Sequence, residues 1–332
     1  MKARLFVLFA AAALTTTPLM AQDTGLCPAT TNAQRISQDA CQKAVDLFKY
    51  VAPQLGTSIT GGNATLGQGG SLGGLGHFTV GLRVNVVQGS LPQVQNVTPS
   101  ANGAVSTQFE TKDQFIPMPT ADLSIGIFKG LPLAVTNVGG VDLLVSAAYL
   151  PEFDNDGVSV KVPSGSLKLG YGARVGILQE SLLVPGISVS YLVRDLPKVN
   201  VAGSSGNDSL YVNNLSLKTK AWRVVASKSL LFIGLAAGFG QDKYDASTDI
   251  GAHIAARTVP PSPAANAGPV SISQNLTRTN VFADVTMNLL LFKLTGEIGQ
   301  VSGGTINTFN TFSGKQAADS RIYGSVGARF GF

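Results

Sequence analysis

His253 lies in a stretch that also carries Asp242, Asp245 and Asp249. A histidine oriented by carboxylates can serve as a general base and activate a hydroxyl or a water for hydrolysis. Such a site also needs a positioned nucleophile, and no nucleophile motif or second catalytic cluster accompanies this histidine. An exposed loop histidine accounts for the same residues, so the chain is read as a non-enzyme. Glu152, Asp154, Asn155, Asp156 and Gly157 have the composition of part of a calcium loop. The full ligand spacing is absent, and Asn and Gly in a surface turn serve backbone conformation. No metal or cofactor is expected. The two cysteines, Cys27 and Cys41, are far in sequence from His77 and His253, which disfavours a metal or redox role. In an exported chain their default is a disulfide. It would close a loop of about 15 residues, contributing about 3 kcal/mol by chain entropy.

Export is expected from the N-terminus. Lys2 and Arg4 precede an apolar run from Leu5 to Leu14, and Leu19-Met20-Ala21 before Gln22 is a suitable cleavage site. That is the anatomy of a secretory signal peptide over 1–21. The apolar run is too short to span a bilayer, where about 20 residues are needed. Cleavage would lower the formal net charge of +5 by two, too mild a balance to imply nucleic acid. The chain is 44% hydrophobic and only 13% charged, with a mean hydropathy of +0.23. Soluble domains carry about 25% charged residues. After residue 21 no apolar stretch is long enough for a helical span.

Residues 22–74 differ from the rest. Ala33, Ile36, Ala40, Ala44, Val45, Leu47, Phe48 and Val51 recur at helical spacing. Thr31 or Asn32 can cap this helix, and Pro53 is expected to end it. A glycine-rich stretch follows to Gly76. The period then becomes two. Phe78, Val80, Leu82, Val84 and Val86 alternate with His77, Thr79, Gly81, Arg83 and Asn85. Like patterns recur near 121–127, 141–149, 167–177, 187–194, 212–226, 231–239, 281–289, 294–298 and 321–332. Near Thr219-Lys220 the apolar phase changes, which predicts a bulge. The count is ten strands of roughly 9–12 residues, the length that crosses a bilayer at a tilt.

The connections alternate long and short throughout: 89–119, 129–138, 150–165, 178–186, 196–211, 227–230, 243–276, 290–293 and 302–319. A meander with long loops at one end and tight turns at the other is the pattern of outer-membrane barrels. Lipid offers no hydrogen bonds, so a sheet crosses it only when closed. The expected fold is therefore all-β: a closed antiparallel up-and-down transmembrane barrel of about ten strands over 75–332. A helical, glycine-rich segment over 22–74 precedes it as a periplasmic helix and plug or linker. Both ends of the mature chain are expected at the short-turn side. The lumen-facing series is His77, Arg83, Asn85, Asp122, Asp142, Lys168, Arg174, Arg194, Asp284, Glu297, Arg321 and Arg329.

Ser325, Gly327, Phe330 and Phe332 resemble the C-terminal assembly signal of bacterial outer-membrane barrels. That resemblance covers the last strand alone. It implies outer-membrane lipid, periplasmic chaperones and the barrel-assembly machinery as partners, and the outer membrane as location. In arrangement the chain also resembles the long-chain fatty-acid channel family, whose barrels carry an N-terminal hatch and more strands than counted here. The function expected is a narrow channel or transporter for small or hydrophobic solutes. The alternatives are a structural or adhesive barrel with a filled lumen, and a rim hydrolase using His253.

Overall fold

A computed structural model describes residues 26–28, 34–94, 98–155, 158–258 and 261–331. The signal-peptide segment, Thr31, Asn32, Asp156, Gly157 and Phe332 lie outside the described residues. Ten long strands follow one helix, α1 (Arg35–Thr60). They are β1 (Phe78–Pro92), β2 (Thr111–Phe128), β3 (Gly140–Tyr149), β4 (Leu167–Leu178), β5 (Gly186–Asp195), β6 (Asp208–Leu230), β7 (Ile233–Ile254), β8 (Ala265–Leu289), β9 (Phe292–Ser302) and β10 (Arg321–Gly331). Each is antiparallel to the next, an up-and-down order. The first also pairs with the last, Val84 opposite Val326, so every one of these strands has two neighbours and the pairings form a ring.

The pleat sorts the side chains. Val80, Leu82, Leu169, Tyr171, Leu235, Phe239, Val285 and Val326 point outward and are exposed, Val326 by 73%. Arg83, Asn85, Asp142, Arg174, Asp284 and Ser325 point inward and are buried. Leu144, which breaks the alternation of 141–149, is also inward and packs with Ala64 and Leu192.

Two expectations about the strands are corrected. β6, β7 and β8 run for 23, 22 and 25 residues, well past the expected length; β7 and β8 absorb most of the connection expected at 243–276, and β6 takes the end of the one expected at 196–211. No bulge occurs at Thr219-Lys220. The register shift lies between Asn213 and Ser216, where Asn214 has φ of 53°. From Leu217 to Ser227 the alternation is unbroken: Leu217 is inward and buried, while Lys218 and Lys220 are exposed. Leu217 is apolar because α1 packs on it, and Trp222 is apolar on the opposite, outward face.

The interior has two zones. At the long-loop end, Val45, Phe48 and Ile59 of α1 pack with Leu217, Tyr244, Ile250, Ile272 and Leu276 of β6–β8. Each fully buried side chain of this size contributes about 1.5–3 kcal/mol. Residues 61–76 then form an irregular coil through the polar zone to the start of β1. The helix is thus inside the ring, with its N-terminal half at the long-loop end, and not beneath the short turns. Asp39 fixes that end by accepting from the N–H groups of Ser100 (2.6 Å) and Val105 (2.9 Å) in the first long loop. Tyr50 stacks on Phe312 at 4.0 Å between centroids.

Pro53 does not end the helix. A proline removes one main-chain donor and frees the carbonyl four residues earlier. That carbonyl, on Lys49, accepts instead from Gln274 Nε2 of β8 at 3.3 Å. The helix continues to Thr60, and Gly61 caps it by donating to Thr57 O at 3.1 Å.

Candidate functional site

The site is the seam between the coil and the wall of the polar zone. Wall carboxylates take the coil's amides. Glu297 Oε2 accepts from Asn63 N–H at 2.8 Å. Asp284 Oδ2 accepts from Gly67 N–H at 3.0 Å and from Asn63 Nδ2 at 3.2 Å. Asp142 accepts from Leu72 N–H at 3.1 Å. Wall guanidiniums take the carbonyls: Arg83 donates to Asn63 O at 2.8 Å and Arg223 to Gly62 O at 3.0 Å. Glycine suits the coil because it leaves its amides open to a close wall. Gly62 has φ of +55°, and a Cβ there would lie 1.5 Å from Glu297 Oε1. Such a chain does by hydrogen bonds what water would do in an open lumen.

The C-terminus of α1 meets a cluster of cations. Arg194 Nη1 donates to the carbonyls of Ile59 (3.2 Å) and Thr60 (3.4 Å), and Asn85 Nδ2 to that of Ser58 (3.2 Å). Positive charge at this end of a helix satisfies its open carbonyls and its dipole. The guanidiniums are balanced across the wall. Arg83 pairs with Asp122 at 2.8 Å, Arg174 with Asp142 at 2.6 Å and Arg223 with Asp242 at 2.5 Å. Higher up, Asp46 of α1 accepts from Asn310 N–H (2.8 Å) and Nδ2 (2.7 Å) and from Phe309 N–H (3.1 Å). Burial holds its carboxyl above the ordinary carboxylate range, against the pull of those hydrogen bonds.

Of the residues expected to line the lumen, Arg83, Asn85, Asp122, Asp142, Arg174, Arg194, Asp284, Glu297, Arg321 and Arg329 meet inside the ring. His77 and Lys168 do not; both are exposed at its two ends. Arg223, Asp242 and Arg278, absent from that expectation, are equally buried. Arg278 donates to the carbonyls of Asp319 (2.6 Å) and Ala318 (3.1 Å). Continuous alternation through 217–227 and past 241 would have found the first two. In the last strand, Ser325 bonds Asn85 at 2.6 Å, and Phe330 packs on Phe292 at 5.4 Å. Gly327 leaves room for Arg83 and Leu66. Cys27 and Cys41 form the disulfide. His253 is exposed on β7, its Nδ1 2.8 Å from Asn266 Oδ1. Among the described residues no group of His, Cys, Asp and Glu could hold a metal ion.

At the short-turn end the coil leaves two cavities, of about 370 and 200 Å³. They share Gln68, Ser71, Gln179, Lys293 and Arg329. Gln68 Oε1 accepts from Arg329 at 2.8 Å, and Ser71 is tied to Gln179 at 2.5 and 2.7 Å.

No family model and no curated protein matches this sequence. Among solved structures, the transport unit of the autotransporter AIDA-I from Escherichia coli is similar at TM-score 0.38 and 9% identity, over 88% of this chain and 98% of that one. Ail, the attachment invasion locus protein of Yersinia pestis, is similar at TM-score 0.30 and 8% identity, over 78% and 99%. The toluene transporter TodX of Pseudomonas putida is similar at TM-score 0.30 and 10% identity, over 77% and 88%. Likeness at these scores is too slight to carry an argument about function.

Proposed function

We propose that this chain is an outer-membrane β-barrel, closed by the pairing of β1 with β10, and that it is a narrow channel shut by its own N-terminal segment. The membrane reading is supported by the outward series, whose apolar side chains would be costly in water. The short turns continue that series: Leu182, Leu231 and Leu290 are exposed by 92%, 90% and 99%. In this reading the outer membrane supplies the lipid, and the strand that carries Ser325, Gly327 and Phe330 is presented to the barrel-assembly machinery.

One observation carries the channel. The two halves of the N-terminal segment are held by different forces. α1 is packed against apolar walls, whereas residues 61–76 are held to a charged wall largely by hydrogen bonds that water can replace. A hydrogen bond exchanged for water contributes only about 0.5–1.5 kcal/mol net, or about 1.5–3 with a charged partner. The coil is the gate and the helix its tether. The second reading, a structural or adhesive barrel whose lumen never opens, is favoured by the apolar burial of α1. In both readings His253 is an exposed side chain of the wall, held through its Nδ1 by the amide oxygen of Asn266.

Planar-bilayer recording separates the two. The refolded chain is expected to be mostly closed with brief openings, and deletion of residues 22–74 to give steady conductance. No conductance from either, with the deleted form still migrating as a folded barrel, would establish the filled lumen instead.

A further inference from the structure

Lys293 of β9 and Arg329 of β10 are direct cross-strand partners, and both point into the cavities at the short-turn mouth. Like charges directly opposite one another destabilise a sheet. A buried guanidinium with no counter-ion hydrogen-bonded to it is costlier still. Arg329 is only 9% exposed, its Nε has no hydrogen-bond partner among the described residues, and its Nη1 has only the neutral Gln68. Among the described residues no acid is hydrogen-bonded to either cation; Glu180 acts on Lys293, and Asp284 on Arg329, only through space. The carboxylate lining the larger cavity, Glu180, is already taken by the N–H of Ser229 (2.5 Å) and the hydroxyl of Ser227 (3.1 Å).

We infer that this mouth binds a small oxyanion, a phosphate or carboxylate group, between Lys293 and Arg329. The cavities exceed the volume of a bare phosphate, leaving room for an organic body. The anion competes with Gln68 for Arg329, so its binding loosens the coil at that point. This coupling rests on the closed-channel reading above; the binding itself does not. The same chemistry has two sources, a soluble anion or the phosphate of a lipid headgroup, because the exposed leucines of the short turns bring lipid close to the mouth.

The test uses the full chain. Inorganic phosphate and sulfate are titrated by calorimetry against protein in a non-ionic detergent, and again in nanodiscs of zwitterionic or anionic phospholipid. Saturable binding is expected in detergent, weakened at least about tenfold by Lys293→Gln, in keeping with loss of a charge-assisted bond. Arg329→Gln is expected to do the same if it folds; Lys293→Gln keeps the test decisive if it does not. Lys168→Gln, exposed at the other end, is the control and should bind as the parent does. Binding weakened in either nanodisc relative to detergent would assign the site to lipid phosphate; binding in both nanodiscs equal to that in detergent would assign it to a soluble anion. Non-saturable binding, or binding unchanged in Lys293→Gln, would overturn the site. Binding without conductance in any variant would retain the site and remove the channel.

Discussion

The backbone N–H of Asn63 donates to Glu297 Oε2 at 2.8 Å, while the Nδ2 of the same asparagine donates to Asp284 Oδ2 at 3.2 Å. Asp284 and Glu297 are themselves cross-strand partners on β8 and β9. One coil residue therefore bridges two wall carboxylates, which also accept from Gly67 N–H and from the Ser325 hydroxyl.

Neutralising both carboxylates should free the coil without harming the wall. In Asp284→Asn/Glu297→Gln the bonds to Asn63 and Gly67 lose their charge assistance, which roughly halves them. Asn and Gln keep polar groups facing each other across β8 and β9, so the wall contact between the two positions is retained. The open fraction in planar bilayers is expected to rise about tenfold or more. The urea midpoint in micelles should stay level or rise. A fall in midpoint with unchanged conductance would mean that these carboxylates hold the wall and not a gate.

Arg223 predicts the opposite balance. It pairs with the buried Asp242 at 2.5 Å, and Asp242 also accepts from Asn280 and Thr60. Arg223→Met would leave a buried carboxylate short of its counter-ion, a loss of about 3–5 kcal/mol. Adding Asp242→Asn should recover most of that loss in the same urea titration. If the double variant is no better than the single, the guanidinium acts through its bond to Gly62 and not through Asp242.

The strands were legible because an apolar outward face over a polar interior enforces a period of two. Val80 to Val84 and Leu167 to Ile177 state it plainly, and the alternating loop lengths state the meander. The long-loop end was less legible for a physical reason. There the interior is apolar as well, because α1 packs inside it, so Leu217, Ile250 and Leu276 carry no sign of which face they occupy. Treating Leu217 and Trp222 as one face produced a bulge that does not exist. It also hid Arg223, whose inward position follows from unbroken alternation. Asp242 was hidden by a strand end set too early, at Phe239, and Arg278 by a strand start set too late, at Val281. Pro53 misled because the donor that rescues Lys49 O, Gln274, is 225 residues away in sequence. His77 and Lys168 have inward parity yet sit where the wall ends, which parity alone cannot reveal.

The disulfide should act locally. Cys27–Cys41 ties the segment before α1 to the helix over a separation of 14 residues, and both cysteines are buried in the apolar cluster of the long-loop end. Cys27→Ser/Cys41→Ser removes a loop constraint of about 3 kcal/mol. Amide exchange in the first turns of α1 should quicken, while the amides of Asn63 and Gly67 keep their protection. Equal loss of protection in the coil would mean that helix and coil unfold as one unit.

Asp46 gives the pH dependence of the helix–loop contact. Burial raises its carboxyl above the reference value of 3.8, so the folded chain binds a proton more readily than the unfolded one. Where the folded state carries the extra proton, stability rises as pH falls. The gain should begin as pH drops through the raised value and be complete below the unfolded value near 3.8. Asp46→Asn removes this titration but leaves an oxygen to accept from Asn310. Amide exchange of Phe309 and Asn310, whose N–H groups donate to Asp46, reports the contact directly. Corrected for intrinsic exchange, their protection relative to the Asp46→Asn variant should increase on mild acidification. A decrease would mean that the hydrogen bonds to the charged form outweigh the cost of burying it.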